Sequence, residues 1–156
     1  MKRQERIERV RAVEREQLAA RFSSKQLKTA LASDPSILVE ESFGLRDVRK
    51  FEENLDATYL VRMFAEFEAG LRDVWANYFE RSTQPPAKDL IESIGTHRLV
   101  PDDVLDGVGS VREYRNSMVH EGMENAPFVA FEAARSFLGK FLSRLPLDWK
   151  VNDESN

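Results

Sequence analysis

The sequence contains no cysteine, which excludes disulfide scaffolds, thiolate zinc sites, iron–sulfur clusters and thiol nucleophiles together. It has only two histidines, His97 and His120, 23 positions apart and outside any His-x-x-x-His or His-Glu-x-x-His pattern. No protein-held metal and no cofactor is therefore expected. No run approaches the roughly 18–20 uninterrupted apolar residues that a membrane span requires. Arginine and glutamate alternate where a secretory apolar region would lie, so the expected compartment is the cytoplasm. Strand-like alternation and internal repeats are missing as well, which leaves helices as the only regular pattern.

What is present is a chain of 156 residues, 42 % apolar and 32 % charged, of a size that folds as one soluble domain with a proper core. Its net charge of −4 is unevenly divided. Residues 1–28 hold nine Lys or Arg against four Glu, while the remainder holds fourteen basic against twenty-three acidic side chains. An Arg-rich arm of this kind can meet nucleic-acid phosphates or the acidic body of a second copy. Its alternative is a solvated helix in which Glu5, Glu8, Glu14 and Glu16 support the interleaved arginines.

Apolar spacing predicts the helices. Ile7, Val10, Leu18 and Phe22 make a sparse stripe over about Arg3–Phe22, a helix in need of a partner. After the break at Ser33-Asp34-Pro35, the longest element runs from Leu45 or Asn54 to Arg81, with Leu60, Phe64, Phe67, Leu71, Val74 and Tyr78 on one face. Leu90, Ile91 and Ile94 mark a short helix closing near Gly95, and His97 falls in the connector after it. Pro101 with Asp102 and Asp103 opens a fourth helix carrying Val104, Val108, Val111 and Met118. Pro127 opens the last, with Phe128, Phe131, Leu138, Phe141, Leu142 and Leu145 facing inward. The expected fold is all-α, an antiparallel up-and-down bundle with a four-helix-type core plus an N-terminal helix and a short helix. Ten phenylalanines and two tryptophans supply a heavy core and surplus for a dimer face.

One position breaks its own pattern. The apolar slot between Val111 and Met118 holds Arg115. A guanidinium stays charged, so burying it unpaired would cost several kcal/mol. It calls for an acidic partner, with Glu68 or Glu66 the candidates, or a watery notch, or an anionic ligand.

The run Arg115-Asn116-Ser117-Met118-Val119-His120 resembles the signature of the HEPN superfamily, an arginine, usually a polar residue, and a histidine four to six positions on. The stretch from Phe64 through Glu66 and Glu68 to Leu71 and Arg72 is similar to the helix that faces the motif in many members. The resemblance covers most of residues 45–145. It divides the chain into a basic helical arm over 1–44, a HEPN-like bundle over 45–150 and a disordered tail over 151–156.

The resemblance implies a metal-independent endoribonuclease, a chemistry many HEPN proteins use in toxin–antitoxin and antiviral systems. His120 would act as proton acceptor and donor. Arg115 would hold and stabilise the phosphate. Base and acid on opposite sides of phosphorus need two imidazoles, so a homodimer with Arg112–His120 near its axis is expected. On an ideal helix Arg115 and His120 lie roughly 140° apart, whereas Asn116 and His120 share a face. Asn116 is thus expected to orient the imidazole or touch phosphate, and Arg112, one turn earlier, to contact phosphate if a cleft exists. Glu121 and Gly122 follow His120, where members paired with a nucleotidyltransferase antitoxin carry a tyrosine two positions on, so modification there is not implied. RNA and an antitoxin or other protein are the expected partners. The alternative is a non-catalytic HEPN-like bundle that binds a protein or nucleic acid, and behind it a purely structural helical adaptor.

Overall fold

The computed structural model describes residues 2–39, 41–119 and 126–149. Five helices account for the regular structure there: α1 Arg3–Ser33, α2 Leu45–Asn77, α3 Ala87–His97, α4 Asp102–Val119 and α5 Phe131–Leu142. A 3₁₀ turn over Pro35–Leu38 joins the first two. The all-α bundle expected from the sequence is the architecture observed. No described helix is long and apolar enough to cross a membrane.

Local chemistry sets the ends. The Glu5 carboxylate accepts the Lys2 N–H at 2.9 Å, and the Asp47 carboxylate accepts the Gly44 N–H at the same distance, each closing the start of its helix. Asp34 ends α1 and opens the 3₁₀ turn by accepting the Ser36 N–H at 3.0 Å, with Pro35 fixing the next φ. Four boundaries differ from expectation, two of them because α2 stops at Asn77 short of Arg81 and α3 passes Gly95 to end at His97. The first helix continues to Ser33, since nothing after Phe22 breaks it before the Asp-Pro pair. The last helix begins at Phe131 with Ala130 as its cap, so Pro127 precedes it and Phe128 stands 76 % exposed instead of in the core.

Ion pairs and side-chain hydrogen bonds give the directions. Arg6 meets Asp73, Gln17 and Arg21 meet Asp56, and Lys28 meets Glu52, so α1 and α2 run antiparallel along their whole lengths. Arg135 on α5 bonds Glu14 at 2.9 Å, and Arg3 donates to the Ser143 and Leu145 carbonyls, so α5 runs antiparallel to α1. Phe64, Phe67 and Leu71 from α2 and Leu138, Phe141 and Leu142 from α5 are almost wholly buried, and the Phe67 and Phe141 rings meet edge to face at 5.3 Å. Burying each such side chain contributes about 1.5–3 kcal/mol. Gly107 lets α5 come close, because a Cβ there would lie 2.2 Å from the Phe137 ring.

The arm over 1–44 divides in two. Its first half is part of the bundle: Val10 and Val13 join the same buried cluster as α2, α4 and α5, and Arg3 N–H bonds the Leu147 carbonyl at 3.0 Å. Its second half pairs with the start of α2 and projects past the shorter helices. Leu31, Val48 and Leu55 are buried there, outside the main cluster. Leu18 and Phe22, from the sparse stripe expected to need a partner, are 56 % and 64 % exposed on this hairpin. The expected tail, 151–156, lies outside the described residues.

Candidate functional site

The motif helix α4 packs its valines inward, with Val104, Val108 and Val111 buried. One turn further on the same seam comes Arg115. Its side chain is half-buried, and its guanidinium carbon stands 5.7 Å from the centre of the Phe64 ring. That is a cation–π contact with a core aromatic, worth about 0.5–2 kcal/mol depending on desolvation. The Nη1 group donates to the Asn116 Oδ1 at 3.0 Å, and Nε is buried without a hydrogen-bond partner.

Neither expected carboxylate reaches it. Glu68 bonds Arg72, one turn along its own helix, with Nε–Oε1 at 3.1 Å. An i,i+4 pair on one helix orders fewer groups than a contact between helices. Glu66 lies on the α2 face that meets α1, 3.9 Å from the Arg6 guanidinium. Among the described residues Arg115 has no ion-pair partner. Its positive charge is fixed in direction by Asn116 and Phe64 and is met by no described carboxylate.

Asn116 is thereby brought together with Arg115, its amide oxygen oriented by the guanidinium. His120, with Glu121 and Gly122, lies outside the described residues. Arg112 stands apart: its Nη2 is 3.7 Å from the Glu113 carboxylate, and it lines a cleft of about 320 Å³ between α3 and α4 with Ile91, Leu105 and Gly109. On the other side of Arg115, Tyr114 holds the exposed Phe128 ring edge-on at 5.5 Å. His97 is exposed as expected, but it ends α3 instead of lying in the connector. Its Nδ1 is 2.8 Å from the Ser93 carbonyl, and its ring meets Phe79 edge-on. Among the described residues no group of His, Asp and Glu is arranged to hold a metal ion.

The sequence reading missed a second buried arginine. Arg6 is 5 % exposed, its Nη2 against Asp73 and its aliphatic stem 3.4 Å from where a Cβ on Gly70 would lie. Burial lowers the Arg6 pKa from its ordinary value and Arg9 adds to this, while Glu66 and Glu5 oppose it. The available signal was spacing: Arg6, Val10, Val13, Gln17, Ser24 and Leu31 are the buried positions of α1, one helical row in which half the members are polar. No family model, no curated protein and no solved structure matches this chain.

Proposed function

We propose that this protein is a metal-independent endoribonuclease of the HEPN type, acting in the cytoplasm as a toxin or antiviral component. The observation that carries the reading is the un-neutralised guanidinium of Arg115, half-buried, oriented by Asn116 and free of any described carboxylate. A structural arginine at a seam would have a counter-ion. One that keeps its charge in a partly desolvated position suits an anionic ligand, and its planar fork suits phosphate.

In this reading His120 removes the proton from a ribose 2′-hydroxyl. The 2′-oxygen forms a bond to phosphorus as the bond to the 5′-oxygen breaks, and an imidazolium from a second copy protonates the leaving oxygen. The products are a 2′,3′-cyclic phosphate and a 5′-hydroxyl. Arg115 stabilises the charge that grows on the non-bridging oxygens, a role whose removal typically costs 10²–10³ in rate.

The test is cleavage of a mixed RNA pool by purified protein in EDTA. Activity should persist in EDTA, vanish in His120→Ala and fall by the factor above in Arg115→Met. RNA with a 2′-deoxy nucleotide at the cleavage position should resist. Cutting of DNA at a similar rate, or activity that appears only with magnesium, means that the mechanism is wrong. RNA binding lost in Arg115→Met without any cleavage by the parent protein would favour the non-catalytic alternative.

A further inference from the structure

The connector from α2 to α3, residues 78–86, forms a rim beside the C-terminal end of α2. Glu80 takes a left-handed φ of 53°, which a residue with a Cβ rarely adopts unless its surroundings dictate it. The turn sends the Arg81 N–H back to the Trp75 carbonyl at 3.2 Å. Further along, the Trp75 indole N–H donates to the Thr83 hydroxyl at 3.1 Å, and Arg72 donates to the Pro85 carbonyl at 3.2 Å. Pro85 and Pro86 stiffen what remains. Between this rim and α2 lies a cleft of about 600 Å³, nearly twice the one beside Arg112. Trp75 stands about three turns of α2 beyond Phe64, roughly 16 Å, so the cleft is separate from Arg115.

The lining has two kinds of chemistry. Trp75, Ala76 and Leu90 give it an apolar part, and the rim supplies hydrogen-bond donors. Arg81 is exposed and, among the described residues, has neither an ion pair nor a side-chain hydrogen bond. The Ser82 hydroxyl has no described partner either. Thr83, which accepts the indole N–H, keeps its own proton to donate. Negative charge is scarce: Asp73 is the one acid in the lining, and Arg6 already meets it. Arg72 is paired with Glu68, which leaves Arg81 as the open positive charge.

We infer that this cleft binds a small aromatic oxyanion, a carboxylate or phosphate carried on a flat ring. The planar fork of Arg81 can meet two oxygens at once, which suits either group. A flat ring covers the indole and Leu90 with few torsions to fix. Charge alone does not hold the ligand, because an exposed guanidinium gains little from a lone anion in water. Both halves are needed, and the volume lies in the range of small-molecule sites. The bonds that pin the rim are already made, so binding does not have to order the connector.

The test uses the full chain carrying Arg115→Met, so that the other candidate anion site is absent. Benzoate and phenyl phosphate are the probes, read by tryptophan emission and by melting temperature. At millimolar concentration at least one should change the emission and raise the midpoint, and the tighter of the two tells carboxylate from phosphate. Inorganic phosphate and benzyl alcohol, each carrying half of the ligand, should do neither. Arg81→Gln, a change at an exposed position, should weaken binding roughly tenfold. Arg81→Lys, which keeps the charge without the fork, should fall between. Trp75→Phe should abolish the emission change, which assigns it to this cleft and not to Trp149. No response to either probe, an equal response to inorganic phosphate, or binding that Arg81→Gln leaves intact overturns the assignment. None of these results bears on the chemistry at Arg115, which keeps its own test.

Discussion

Arg6 and Arg115 are the same side chain withdrawn from solvent in two different ways. Arg6, in α1, is the more buried and is met by the carboxylate of Asp73, with Glu66 3.9 Å away. Arg115, in α4, is half-buried and has an amide oxygen and an aromatic face but no described carboxylate. A neutralised guanidinium joins helices and projects little field. One left un-neutralised retains its field for whatever anion arrives. Burial alone thus fails to tell a structural arginine from a candidate site; the presence of the counter-ion does.

The largest effect should follow from breaking the neutralised pair. Arg6→Met keeps the volume of the stem and leaves Asp73, 28 % exposed, and Glu66, two turns away on the same face of α2, without this cation. Orphaning one partner of a buried pair costs about 3–5 kcal/mol, and the partial exposure of Asp73 places the loss near the lower figure. Adding Asp73→Leu removes the orphan and should restore most of it. Urea unfolding of the two variants checks this. A double variant no more stable than the single would mean that Arg6 acts through its packing on Gly70 alone.

Arg115→Met should show the opposite pattern. No described carboxylate is orphaned and the methionine can still cover Phe64, so the stability loss should stay below about 1 kcal/mol. What should disappear is response to anions: added phosphate should raise the melting temperature of the parent protein and leave that of Arg115→Met unmoved. A loss as large as that of Arg6→Met would place the two arginines in one class and remove the contrast.

The sequence made the bundle legible because its core helices are strongly periodic, as in the row from Leu60 through Phe64 and Phe67 to Leu71. Arg115 was visible for the same reason, as a charge in an otherwise apolar slot. Its environment was not, because Glu66 and Glu68 are both near in sequence to the facing helix residues, and only packing decides that one turns to Arg6 and the other to Arg72. Arg6 was hidden by the opposite circumstance. Its row contains Gln17 and Ser24, so burial there leaves little hydrophobic contrast to detect. Phe128 illustrates a third limit: an aromatic ring next to a helix start looks like core, yet the helix opens three residues later and leaves it outside. His120 lies outside the described residues, so its part in the site rests on the motif.

The smallest effect sharpens the comparison at its exposed extreme. Asp34 is fully exposed, and its pKa is lowered first by the Ser36 hydroxyl and then by the Ser36 N–H. A carboxylate whose folded pKa lies below its unfolded value contributes stability that is present above the unfolded pKa, about 4, and is lost as pH falls through the folded one. The thermal midpoints of the parent protein and Asp34→Ala should therefore differ slightly near neutrality and converge as pH falls from about 5 to about 3. Salt should hardly change the difference, because the bonds are short and local instead of a long-range field. Arg115→Met should not converge in the same way, since its guanidinium stays charged throughout that range and no described carboxylate pairs with it. A difference between parent and Asp34→Ala that widens toward acid would reverse the sign of the linkage, and the cap at the end of α1 would then have to be credited to Pro35 alone.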